Sequence, residues 1–294
     1  MIVIITPTGQ IGHQVLNNLL NSDEPIRVIV RDPSRLSPHV RERVEVVQGS
    51  HGDLDVVTRA FAGADSVFWL VPPDPYAESV EAAYVGFSRP ACDAFKTQGV
   101  KRVVGVSAFG RGAAVSGNAG YVTASLAMDD LIASTGVSYR ALAAAPFMDN
   151  MLRQVESIKN QGMFFDMISG DLKQPACATC DIATVAARWL LDHTWSGVES
   201  RPVLGPEDLF YNDMARIMSE VLGWSVRYQQ IPGETLKATL TGFGMSSAMV
   251  QGMVDMIAAY DQGLATAEPR TAESTTPTSF RQWCEEVLKP AVLG

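Results

Sequence analysis

Ile2-Val3-Ile4-Ile5-Thr6-Pro7-Thr8-Gly9-Gln10-Ile11-Gly12 is the stretch on which the fold turns. Four consecutive β-branched residues suit one short strand covered on both faces and are too few for a buried helix. A glycine turn follows at once. His13–Leu20 then sets Val15, Leu16, Leu19 and Leu20 at helical spacing. A strand that hands over to a helix through glycine is the arrangement in which backbone N–H groups and a helix N-terminus can meet a diphosphate. Gly9 lets the backbone approach phosphate, and Gly12 lets the helix pack closely on the strand. The first glycine of the usual triplet is Thr6 here, and Pro7 carries no N–H, so the expected donors are Thr8, Gly9, Gln10 and Ile11.

Outward from the turn the same alternation repeats. Apolar runs at Ile2–Ile5, Ile26–Val30, Val44–Val47, Ser66–Val71 and Arg102–Val106 are each followed by a turn and a helical pattern, and Ser138–Ala144 reads as one strand more. Short apolar strands joined by helical crossovers predict an α/β fold: a Rossmann-like, doubly wound parallel sheet covered on both faces. Asp181–Leu191 reads as a helix that Asp181 caps. After about residue 150 the rhythm changes. Met151–Lys173 is mixed, Arg201–Leu204 reads as a strand, and Asn212–Leu222 as a helix stopped by Gly223. Thr241–Gly263 is helical and carries Met245, Met249, Met253 and Met256 near one face, which suits core filling or an adaptable pocket wall. A Pro/Thr/Ser stretch, Pro269–Ser279, precedes a last helix over Phe280–Leu288. The expected division is a dinucleotide-binding domain over 1–150, rejoined by 181–206, and a smaller, mainly helical substrate lobe over 151–294.

Composition narrows the functions. The 294 residues, 47% of them hydrophobic, can bury a full core. No apolar run approaches the roughly 18 residues needed to span a membrane, and the first residues lack the features of a signal peptide, so a soluble cytoplasmic protein is expected. Acidic residues exceed basic ones, 32 to 23, and this field repels nucleic acid. Cys177 and Cys180 form a Cys-x-x-Cys without a second pair, and His13, His39, His51 and His193 show no ligand spacing, so no metal site is expected. The cysteines read as ordinary thiols of a reducing compartment.

The end of the second strand bears on the nucleotide. An acidic residue there holds the ribose 2′-hydroxyl of NAD, whereas arginine pairs with the 2′-phosphate of NADP. Here Arg31 comes first, Asp32 follows, and Arg35 lies one helical turn on. The reading favours NADPH, with NADH as the lesser alternative that Asp32 keeps open.

Five stretches, Thr8-Gly9-Gln10-Ile11-Gly12, Val28-Ile29-Val30-Arg31-Asp32, Ala60-Phe61-Ala62-Gly63-Ala64-Asp65, Ala145-Pro146-Phe147-Met148-Asp149-Asn150 and Leu204-Gly205-Pro206-Glu207, together resemble the NmrA-like family of atypical short-chain dehydrogenases/reductases. The resemblance runs over almost the whole chain. It implies a dinucleotide lying along the C-terminal edge of the sheet, against Thr6, Thr8, Gly9, Gln10, Ile11, Arg31 and Arg35. Leu70, Val71 and Pro72 after the fourth strand, Ser107 and Ala108 after the fifth, and Phe147 after the sixth belong to the same edge. Ser50 stands where many relatives place the aspartate that meets adenine. Members of the family reduce quinones, dyes, enones and iminium-type compounds, or act as regulators that bind dinucleotide and a protein partner without turnover.

In the wider superfamily a serine at the position of Ser107 hydrogen-bonds substrate, and Tyr121 lies at a distance suiting the proton-donating tyrosine. Four residues later, where that superfamily has a lysine, this chain has Ser125. Without that ammonium, Tyr121 would keep a pKa of about 10 and be a slow acid. Quinones and enones, whose developing charge is delocalised, ask less of it than a plain ketone. Phe109, Phe147, Met148 and Asn150, with Tyr121, suit a flat organic substrate. The expected function is an NADPH-dependent reductase of a small cyclic or aromatic carbonyl-type compound. The alternative is a non-catalytic redox sensor; an epimerase, which needs the tyrosine–lysine pair, fits less well.

Overall fold

A computed structural model describes residues 1–294. The strands are β1 (Ile2–Ile5), β2 (Ile26–Val30), β3 (Val44–Gln48), β4 (Ser66–Trp69), β5 (Arg102–Ala108), β6 (Ser138–Ala144), β7 (Met163–Asp166), β8 (Gln174–Pro175), β9 (Val198–Val203), β10 (Asp208–Leu209) and β11 (Arg227–Gln230). Seven of them form one parallel sheet in the order β3-β2-β1-β4-β5-β6-β9. Burial follows position. The central strands β1 and β4 are buried at every residue, whereas the edge strands β3 and β9 are largely half-exposed. This explains why β1 is wholly apolar while β3 tolerates Glu45 and Gln48.

The helices are α1 (Gln10–Leu19), α2 (Pro38–Arg43), α3 (Leu54–Phe61), α4 (Phe87–Gln98), α5 (Tyr121–Ala133), α6 (Val155–Gln161), α7 (Thr179–Leu191), α8 (Tyr211–Leu222), α9 (Gly233–Gly242) and α10 (Ser247–Asp261), followed by helical turns over 280–293. One face of the sheet packs on α1 and α7 through Val15, Leu16, Ile182 and Ala186. The other packs on α3, α4 and α5 through Val57, Phe61, Phe95 and Met128. A third core joins α8, α10 and the 280–293 segment to the far end of the sheet, with Phe109, Met148, Met218, Phe280 and Trp283 inside it. Strand order reverses between β1 and β4, and the crevice at such a switch is where open α/β sheets bind ligands.

Several boundaries move. The turn at Gln10 already belongs to α1, β4 stops at Trp69, β5 continues to Ala108, and the last strand of the sheet is Val198–Val203 rather than Arg201–Leu204. The stretch 241–263 is not one helix: Gly244 at φ +82° breaks it, and the Ser246 hydroxyl starts α10 by accepting from the Met249 N–H at 3.3 Å. α7 begins at Thr179, two residues before the expected cap. Asp181 therefore sits inside its first turn, where the carboxylate instead accepts from the Thr278 N–H (3.0 Å) and hydroxyl (2.7 Å). Ahead of α4, residues Ala82–Gly86 form a π-turn, and Phe87 N–H reaches back to the Ala82 carbonyl. Pro90 explains it, because proline inside a helix lacks an N–H and crowds the carbonyl four residues back.

The loop after β4 is sewn to the start of α10. Ser246 donates its N–H to the Pro75 carbonyl at 2.9 Å and its hydroxyl to that of Ala77 at 2.6 Å.

The seam between β1 and α1 admits no side chain. A Cβ on Gly12 would lie 2.1 Å from the Thr6 carbonyl oxygen, a backbone atom that cannot step aside. Gly12→Ala should therefore cost about 2 kcal/mol or more, as overpacking of a tight site does. The check is the urea midpoint at unchanged m-value; a wild-type midpoint would contradict this account of the seam.

Candidate active site

Thr6 ends β1 with φ +50°, a left-handed conformation that a threonine adopts only at some cost. It replaces the usual glycine by paying that strain, and its carbonyl accepts from the Gly9 N–H at 2.9 Å. The expected set of donors changes accordingly. Gly9 has spent its N–H inside the turn, while Thr8, Gln10, Ile11 and Gly12 have theirs without a backbone partner, since the first bond of α1 runs from His13 N–H to the Gly9 carbonyl. Four orphan donors at the N-terminus of a ten-residue helix, beside a glycine turn, fit the diphosphate of a dinucleotide. The buried Thr6 Oγ1 beneath them has no partner in the chain.

At the end of β2 the Asp32 carboxylate is occupied. It accepts from the Ser34 N–H (2.9 Å) and hydroxyl (2.7 Å), capping a short 3₁₀ turn. Arg31 and Arg35 are exposed and form no ion pair, so two cations stand at the strand end with their charge uncommitted. Ser50 turns its Oγ to the Gly52 N–H at 3.2 Å. Next to it His51, not expected to matter, is wedged between Trp69 and Phe87, and burial lowers its pKa to about 4. Leu70 and Val71 line the chain leaving β4, with Pro72 exposed beyond them.

Around β5 the structure corrects two expectations. Ser107 is 6% exposed and donates to the Asp129 carboxylate, which also accepts from the Tyr139 hydroxyl at 2.6 Å and Arg111 at 3.4 Å. Its hydroxyl therefore ties α5 to β5 and β6 and is not presented to a substrate. Ser125, in the position of the superfamily's lysine, accepts from the Ala108 N–H at 3.2 Å, so that amide too is committed. Burial raises the Asp129 pKa to about 6 against the pull of the Ser107, Tyr139 and Arg111 bonds.

Tyr121 opens α5 and is 7% exposed, in a small apolar cluster with Ala83 and Met249. Half-buried Met245, Met253 and Met256 pack against this cluster, so the methionine face of α10 closes around the tyrosine. Tyr84, placed by the π-turn, meets Tyr121 edge-on at 6.0 Å. Burial lifts the Tyr121 hydroxyl to about 12, opposed by the Arg153 guanidinium. Phe109 (1% exposed, against Tyr260) and Met148 (3%) lie in the lobe core, so their side chains pack there and do not face a substrate as expected. Phe147 is half-buried and Asn150 exposed.

Three residues that the sequence reading missed join this site. The Asp149 carboxylate accepts from Gln10 Nε2 (2.8 Å), the Thr179 hydroxyl (2.9 Å) and the Thr179 N–H (3.0 Å), capping α7 from another segment. Gln14 Nε2 donates to the Thr179 hydroxyl and to the Gln10 carbonyl, both at 2.9 Å. Thr8, Gly9, Gln10, Asp149, Thr179 and Trp283 are among the walls of a cavity of about 410 Å³ at the mouth of the glycine turn. Asp149 lay within a stretch that carried the resemblance, but its partner is 30 positions away and no local pattern joins the two.

Comparison with known proteins agrees with this geometry. Residues 7–192, which include the turn from Pro7 onward and the whole of α7, match the NAD(P)H-binding family. The chain belongs to that family. An NAD(P)H azoreductase of Xenophilus azovorans is 28% identical over 88% of this chain and 86% of its own. A (4-alkanoyl-5-oxo-2,5-dihydrofuran-3-yl)methyl phosphate reductase of Streptomyces griseus is 29% identical, over 82% of this chain and 80% of its own. The NADPH complex of the Escherichia coli quinone oxidoreductase QOR2 shares the fold, with TM-score 0.78 and 21% identity over 97% of this chain and 98% of that one.

Asp129 offers a check on the buried cluster. Its folded-state pKa of about 6 lies above the ordinary 3.8, so the native state binds the proton more tightly and this residue's contribution falls as pH rises between those values. The wild type minus Asp129→Asn difference in unfolding free energy should fall by about 3 kcal/mol from pH 3 to 7, most of it between pH 4 and 6, and then level off. A flat difference across that window would show that Asp129 titrates normally.

Proposed function

We propose that this chain is a cytoplasmic NADPH-dependent reductase of the NmrA-like type, acting on a small, flat carbonyl-type acceptor such as a quinone, enone or aromatic ketone. The observation that carries the reading is the pairing of a furnished diphosphate site with an adenosine end that favours a 2′-phosphate: four open N–H groups at α1, uncommitted Arg31 and Arg35, and an Asp32 already bound to Ser34. The named activities of the azoreductase, the furanone reductase and the quinone oxidoreductase support the substrate class, since each works on a conjugated, electron-poor acceptor. In this reading residues 1–150, rejoined by 181–206, carry the dinucleotide, and 151–294 form the substrate lobe.

Bound NADPH would supply the hydride. The chain's part is to hold the acceptor at the edge formed by Phe147, Asn150 and Tyr121 and to exclude water there. Ser107 fixes the end of β5 through Asp129, so a proton for the product oxygen comes from Tyr121 or an ordered water. With the Tyr121 hydroxyl held near 12, the donor gives little help to charge developing on oxygen during hydride transfer, so an acceptor that delocalises this charge, as a quinone or enone does, suits the site better than a plain ketone.

A dinucleotide-binding sensor is the second reading. Tyr121 is enclosed, and Tyr76 (66% exposed) and Phe243 (74%) offer a surface for a protein partner; a Cβ placed on Gly244 would come within 3.8 Å of the Tyr76 ring. Titration with NADPH and NADH, followed by nicotinamide absorbance over a panel of quinones, enones, azo dyes and aromatic ketones, sorts the two. Substrate-dependent oxidation is expected; tight binding with no turnover on any compound would favour the sensor, and no binding would end both readings.

Two substitutions refine the test. Arg31→Ala should weaken NADPH about tenfold or more while leaving NADH nearly unchanged, the loss of one charge-assisted contact to phosphate. Equal losses would remove Arg31 from the 2′-phosphate. Tyr121→Phe should lower turnover at unaltered NADPH affinity, and an unchanged rate would leave the proton to water.

A further inference from the structure

Two helix N-termini, those of α1 and α7, face the same cavity of about 410 Å³, and each could draw an anion. They differ in one respect. α1 leaves four N–H groups open, whereas the Thr179 N–H of α7 is taken by Asp149, a carboxylate only 8% exposed. The same carboxylate holds the Thr179 hydroxyl and the side chain of Gln10, while Gln14 links Thr179 back to the Gln10 carbonyl. Gln10, Gln14, Asp149 and Thr179 thus close a ring of hydrogen bonds between the glycine turn and the start of α7. Asp149 is further fixed by its own backbone surroundings: Met148 N–H bonds the Cys177 carbonyl and Cys177 N–H that of Pro146, both near 3 Å (2.9 and 3.0 Å).

We propose that Asp149 is the positioning residue of the dinucleotide site: it holds Gln10 and the first turn of α1 in register and, by taking the Thr179 N–H, leaves α1 the better furnished of the two helix ends for the diphosphate. The assignment rests on the dinucleotide reading above. The chemistry demands a carboxylate. Every partner of Asp149 is a donor, so an acceptor-only group satisfies all three, whereas an amide would turn its own NH₂ toward one of them. The fixed negative charge also offsets the positive end of α7, so that terminus competes less well for phosphate than α1 does.

The experiment measures Kd by titration of the purified full chain with NADPH and, separately, with adenosine 2′-monophosphate, a fragment that lacks the diphosphate. Asp149→Asn should weaken NADPH about tenfold and leave the fragment unchanged. Gln10→Ala should weaken NADPH in the same way, and the double variant should be no weaker than Asp149→Asn alone, because both act through one ring. An Asp149→Asn protein that binds NADPH like the wild type, or that loses both ligands equally, would overturn the assignment; so would additive losses in the double variant. Should Asp149→Asn fail to fold, Gln10→Ala against the two ligands decides by the same criterion. A wild type that binds NADPH but not the fragment counts against the arginine reading alone, and the cycle with Gln10 then decides the role of Asp149.

Discussion

The seam where the Thr6 carbonyl meets the α-carbon of Gly12 governs the rest of the molecule. Only hydrogen fits there. That contact brings α1 down onto β1 and leaves the open N–H groups of the helix start at the C-terminal edge of the sheet. The left-handed Thr6 is part of the same bargain: a residue with a Cβ takes a conformation glycine would take freely, and the turn stays tight because Gly9 bonds back to it.

What could be read from the chain follows from what is local. Each central strand is a run of buried apolar residues flanked by a turn, so β1, β2 and β6 were legible to the residue, and Gly223 marked the end of α8 because a left-handed residue there needs no Cβ. The pattern failed where a partner comes from far along the chain. Asp181 has the composition of a helix cap, but Thr278 claims it; Asp149 has no such look, yet caps α7. Ser107 sits in the expected place on β5, and only the burial of Asp129, 22 positions on, turns its hydroxyl inward. The π-turn before α4 could be anticipated from Pro90 only by knowing that the helix persists through it.

Ser125, four residues after Tyr121, has a structural setting of its own. A short side chain at that point of α5 can bond the Ala108 amide and lie beside the Ser107 hydroxyl at 3.4 Å, where a long cationic chain would compete with Arg111 for Asp129. The buried hydroxyls and carboxylate thereby serve the attachment of α5 to the sheet. Tyr121, by contrast, is enclosed by the methionines of α10, and burial raises its hydroxyl to about 12.

Ser246 gives the two halves of the molecule a shared mechanical part. By holding the carbonyls of Pro75 and Ala77, it makes the segment leaving β4 and the start of α10 one body. The methionine face of α10 can then move away from the segment leaving β4 only by breaking both bonds. The two segments are latched, and an outward movement of either carries the other with it until that latch opens.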